Sequence, residues 1–88
     1  MAKLVVSFDT YYGLESSDGR QALQQFKVTP GIQALRAYRA EGSPAYVVEV
    51  DVDDATVETV KKLMQAGFSQ YSGYISNFSM RTLKQLNL

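Results

Sequence analysis

Six residues carry most of the chemistry this chain could offer: Asp9, Tyr11, Tyr12, Arg36, Tyr38 and Glu49. A carboxylate at Asp9 or Glu49 can take a proton as a general base, and the Arg36 guanidinium can hold an anion. The tyrosines supply flat apolar area with a hydrogen-bonding tip. The 88 residues include no histidine and no cysteine. A nucleophile activated by a histidine is therefore excluded, and structural zinc or a haem with a His or Cys axial ligand is disfavoured. The acidic run Glu49, Asp51, Asp53 and Asp54 reads most simply as a strand face leading into a helix N-terminus, with a weak calcium or magnesium contact as the alternative. No cofactor and no metal site is expected. Neither a phosphate-binding loop nor a dinucleotide fingerprint nor a serine elbow is present, and Gly13 with Gly19 is too sparse to cradle phosphate.

Charge and hydropathy narrow the partners. Nine Lys and Arg balance nine Asp and Glu, so the electrostatic footprint of non-specific nucleic-acid binding is missing. The short apolar start Leu4-Val5-Val6 lacks a cleavage site, and nowhere do about eighteen apolar residues run together. The expectation is a cytoplasmic chain, neither secreted nor membrane-spanning. At 88 residues with 45% hydrophobic content, residues 1–88 should form one domain with one modest core. Such a core is marginal without added burial, and homodimerisation is the obvious supplement.

The elements that would position these groups follow from periodicity. Lys3 to Asp9 alternates, with Leu4, Val6 and Phe8 on one face and Val5, Ser7 and Asp9 on the other, which predicts a strand. Thr10 to Asp18 reads as a loop ending in an N-cap at Ser16-Ser17-Asp18, followed by a helix with Ala22, Leu23 and Phe26 at helical spacing. Tyr11-Tyr12-Gly13 sits in that loop, where a cleft rim can form. Thr29-Pro30-Gly31 stops the helix. Ile32 to Ala40 and Ala45 to Val52 form two strands joined through Glu41-Gly42-Ser43-Pro44. From Asp53-Asp54 the period becomes helical, with Val57, Val60, Leu63 and Met64 as its stripe and Gly67 as the expected C-cap. Phe68 to Met80 reads as a fourth strand with a bulge at Gly73, and Arg81 to Leu88 as a helical turn or tail.

The order strand, helix, strand, strand, helix, strand predicts an α+β domain of ferredoxin-like βαββαβ form. Its four-stranded antiparallel sheet would run 4-1-3-2, with two helices on one face. Pairing Ala40 with Ala45 sets Arg36 opposite Glu49, Tyr38 opposite Val47 and Ala34 opposite Asp51. These residues should then share the helix-free face with Val5, Ser7 and Asp9. At its plainest, Arg36 with Glu49 is a cross-strand ion pair on a solvated sheet. The functional reading is a face closed by a second subunit around a shared cavity.

Pro30-Gly31-Ile32 leading into Leu35-Arg36-Ala37-Tyr38-Arg39, then Pro44-Ala45-Tyr46-Val47-Val48-Glu49-Val50, resembles the dimeric α+β barrel superfamily. That superfamily includes EthD-like proteins, small monooxygenases and muconolactone-isomerase-like enzymes. The resemblance implies paired sheets enclosing a small-molecule pocket, and chemistry without metal or organic cofactor in many members. The histidine common in the first helix region of EthD-like proteins is absent, with Gln24, Gln25 and Lys27 there instead, so the architecture carries over and no reaction does. RNA-binding RRM domains share the element order but need exposed aromatics where this chain has Val47 and Glu49. Amino-acid-binding ACT-like modules share it too. Two readings follow. One is a small-molecule-binding homodimer, as a cofactor-independent enzyme of monooxygenase or isomerase type. The other is a non-catalytic protein-interaction module, a regulator or inhibitor using a sheet edge or its tyrosines.

Overall fold

The structure is a computed structural model that describes residues 2–10, 16–43 and 45–88. Strand β1 (Ala2–Asp9) is followed by helix α1 (Ser17–Lys27) and strands β2 (Ile32–Arg39) and β3 (Ala45–Val52). A single 3-10 turn (Asp54–Thr56) runs into helix α2 (Val57–Ser69), and strand β4 (Ser76–Lys84) closes the chain. The sheet order is β2-β3-β1-β4 with every pair antiparallel, the topology that the element order predicts.

Alternation decides which way the sheet faces. Leu4, Val6, Val48, Val50 and Val52 are fully buried, while Lys3, Val5, Ser7 and Asp9 between them are half-buried. Both helices pack against the buried set, α2 through Val60, Met64 and Phe68 and α1 through Leu23 and Phe26. The β2–β3 register is the one expected from the hairpin: Arg36 faces Glu49, Tyr38 faces Val47 and Ala34 faces Asp51. It slips only at Gln33, whose amide turns to the Asp53 carboxylate at 2.9 and 3.1 Å.

Local chemistry fixes the ends of α1. The Ser16 hydroxyl accepts from the Gly19 N–H at 3.1 Å, satisfying one of the free donors of the first turn, and Lys27 sits in the last turn where the dipole favours a cation. Gly31 follows with φ +95°, and a Cβ there would collide with the Thr56 hydroxyl, so the turn into β2 needs glycine. Its carbonyl accepts from the Asp53 N–H at 3.1 Å, tying the start of β2 to the end of β3.

The second half of the chain departs from the sequence reading in four places. Helix α2 does not stop at Gly67 but continues to Ser69, because Phe26 lies over that glycine and the two helices meet through the missing side chain. Phe68 is consequently a buried helical residue one turn beyond Met64, and Leu63, expected in the stripe, is 51% exposed. The bulge lies at Asn77, not Gly73. Asn77 adopts φ +54°, which asparagine tolerates better than most residues, where the β1–β4 register shifts between Ser7 and Asp9. Arg81 to Lys84 complete β4 and only residues 85–88 lack regular structure.

Candidate functional site

The helix-free face gathers part of the predicted site. The Arg36 Nη2 donates to both Asp51 carboxylate oxygens at 3.1 Å, its Nε lies 3.5 Å from Glu49, and Lys3 approaches the same Glu49 oxygen at 3.9 Å. The hydrogen bond and charge of Asp51 raise the guanidinium above its ordinary pKa, desolvation opposes them more weakly, and Glu49 adds a smaller upward push. Arg36 and Glu49 are therefore partners in a charge ladder across three strands. A guanidinium engaged by two carboxylates is already neutralised, which weakens the anion-holding role that its type allows.

Asp9 is not brought to that ladder. It lies four residues along β1 from Val5, the residue opposite Glu49, a separation of about 13 Å along a strand. Its carboxylate instead accepts from the Asn77 amide at 2.7 Å and pins the β4 bulge. Tyr38 shares the face, 52% exposed, two residues from Arg36. Tyr11 and Tyr12 lie outside the described residues. The acidic run is divided in the same way, with Glu49 and Asp51 turned to Arg36 and Asp53 to Gln33. Among the described residues no three His, Cys, Asp or Glu side chains converge as metal ligands.

A concave site does exist, on the other side of the sheet. A cleft of about 530 Å³ opens between α1, the end of β1 and the connection from α2 to β4. Its apolar wall is a set of packed rings. Phe68 stands at the centre, 5.2 Å from Phe8, 5.4 Å from Phe26 and 5.5 Å from Phe78, and Phe8 stacks in turn at 6.1 Å on Tyr46. Phe8, Phe26 and Phe68 line the cleft, with Tyr71 and Tyr74 from the turn after α2. Polar groups come from buried Thr10 and from the first turns of α1, with Ser16, Asp18 and Gln21. The volume falls in the range that encloses a small organic molecule, and ring walls with a few polar groups are the common composition of such sites.

The sequence reading missed this cleft because its wall depends on Phe68 being helical. Once Val60, Met64 and Phe68 are read as one repeat of four, the rings of β1, α1 and α2 fall together, and the following Tyr71 and Tyr74 reach the same mouth.

No family model matches the chain, and no curated protein does either. Solved structures match over nearly its whole length. SnoaB of Streptomyces nogalater, described as a cofactor-independent oxygenase, superposes with a TM-score of 0.74 at 12% identity, covering 99% of this chain and 94% of that one. An antibiotic biosynthesis monooxygenase gives 0.75 at 10% identity over 99% of this chain and 100% of the other. The chain has the ferredoxin-like α+β fold of these structures. Rv0793 of Mycobacterium tuberculosis shows the same α+β fold, with a TM-score of 0.73 at 8% identity and coverage of 99% and 96%. Identities this low carry the fold and no more. Within this fold, the cleft and the charge ladder lie on opposite faces of one sheet.

Proposed function

We propose that the protein binds a small, largely aromatic organic molecule in the ring-walled cleft, and that it does so as a homodimer joined through the helix-free sheet face. The observation that carries the binding reading is the cleft itself, walled by three phenylalanines and rimmed by Tyr71 and Tyr74. A solvated surface gains nothing from gathering rings around an opening, whereas a flat ligand buries its faces against them.

The dimer rests on the opposite face. Val5 and Val47 lie among the charge ladder, with Tyr38 and Leu83 exposed toward its outer strands. A single layer of helices leaves this apolar and charged mixture uncovered in one chain, and a twin sheet would bury it.

The enzymatic branch of this reading is turnover of the bound molecule without a cofactor, and the oxygenase name carried by SnoaB supports looking for oxygen consumption first. The test is titration with 2-naphthol, followed by its fluorescence, on the wild type and on Ala22→Trp, which fills the cleft from α1. Saturable binding with one molecule per chain, abolished by Ala22→Trp, is expected. Binding that survives the substitution places the ligand elsewhere and overturns the reading. Light scattering should give twice the 9.8 kDa chain mass, and a mass of one chain overturns the dimer.

A further inference from the structure

Among the described residues, no Lys or Arg lines the cleft. Residues 63–80, which form the end of α2, the following turn and the first half of β4, hold no Lys, Arg, Asp or Glu. Thr10, Ser16 and Gly19, which line the cleft beside Asp18, carry no charge. Helix α1 adds Gln21 and Gln25, while its own cations Arg20 and Lys27 lie off the cleft wall. The one charged side chain lining the cleft among the described residues is thus the Asp18 carboxylate. The remainder of the wall is aromatic rings, the aliphatic side chains of Ala22, Leu23 and Ile75, and amide or hydroxyl groups.

An aromatic face is negative at its centre and attracts a cation within about 6 Å. A carboxylate beside such rings adds to that attraction, by an amount that solvent and salt reduce because Asp18 is exposed. An anionic ligand entering the same space meets the opposite field, with no Lys or Arg among the described lining residues to offset it. On the reading that this cleft is the ligand site, we propose that it takes an amine-bearing aromatic molecule, cationic at neutral pH, in preference to a neutral or anionic molecule of the same shape. The resting charge of the chain does not create this preference, since the molecule as a whole is neutral and its cations are placed elsewhere. Arg36, Lys3 and Arg81 stand on the other face of the sheet.

Three probes with one ring system and different charge decide the matter: 1-naphthylmethylamine, 1-naphthylmethanol and 1-naphthylacetate, titrated by fluorescence at low and at moderate salt. The amine should bind tightest and the acid weakest. One carboxylate attracting the first and repelling the second separates them by about tenfold, and the gap should narrow as salt rises. Asp18→Asn should reduce the advantage of the amine severalfold and leave the alcohol unchanged. Gln21→Arg, which sets a cation at an exposed α1 position on the cleft wall, should move the order toward the acid. Acid binding equal to amine binding in the wild type overturns the charge selection while keeping the cleft as a ligand site, as does an amine preference that neither substitution alters. Failure of all three probes to bind overturns the cleft reading and this inference together.

Discussion

The two faces of the sheet solve the same problem with opposite materials. On the helix side, Phe8, Phe26, Phe68 and Phe78 pack ring on ring, and the first three line a cleft whose wall, among the described residues, carries one acid and no cation. On the helix-free side, Lys3, Glu49, Arg36 and Asp51 form a ladder of alternating sign above half-buried valines. Rings hold their shape through packing that acts only at contact, so the first face is rigid and sensitive to volume. Exposed charges hold through a field that salt and water weaken, so the second is adaptable and suited to choosing a partner. The contrast sets packing by shape on one side of the sheet against pairing by charge on the other.

The hardest test of that contrast is Phe68→Ala. It removes the ring common to three contacts and should cost about 3–5 kcal/mol in urea unfolding. A loss below about 1 kcal/mol would mean the ring cluster is not what holds this face together. Asn77→Ala should come next. It forces an ordinary side chain into the left-handed conformation and deletes the bond to Asp9, for a loss of about 1–2 kcal/mol. Because the bulge joins Asp9 on one face to Phe78 on the other, this substitution should disturb both regions, read as amide-shift changes on each. Changes confined to one face would show the regions to be independent there.

Gly67→Ala should change stability by less than about 1 kcal/mol, since the gain in helix propensity offsets the displacement of Phe26, whose Cζ lies 2.5 Å from the added Cβ. Its larger effect is on the cleft, where the ring must move, and 2-naphthol affinity should fall. Unchanged affinity would show that the ring leaves by another route. The smallest effect on folding belongs to Arg36→Met, because its ladder is exposed to solvent. It should leave the urea midpoint nearly in place while weakening self-association seen by light scattering. A midpoint shift rivalling that of Asn77→Ala would reverse the assignment of charge to partner choice.

Much of the charged face was legible in the sequence, because strand periodicity is strict. Once Ala40 is set against Ala45, the positions of Arg36, Tyr38 and Glu49 follow by counting, and the structure keeps that register. The cleft was not legible in the same way. Gly67 looks like a helix stop, since glycine is the usual residue there, and only the ring of Phe26, forty-one positions earlier, explains why the helix runs on. Asn77 posed a similar difficulty. Its bulge depends on Asp9 across the sheet, whereas Gly73 offered a local signal and sits in a turn with open space around it. Features set by near neighbours were read, and features set by distant ones were not.

The bare α-carbon of Gly67 has a consequence for how such a domain can diversify. Phe26 rests where a methyl group would stand, so the room available to a guest is governed from behind the wall, by a position the guest never meets. A lineage could retune what it accommodates by one substitution there, in either direction, with every contact residue preserved. Two descendants with identical linings would then differ in what they admit, and a comparison of lining residues alone would record them as the same.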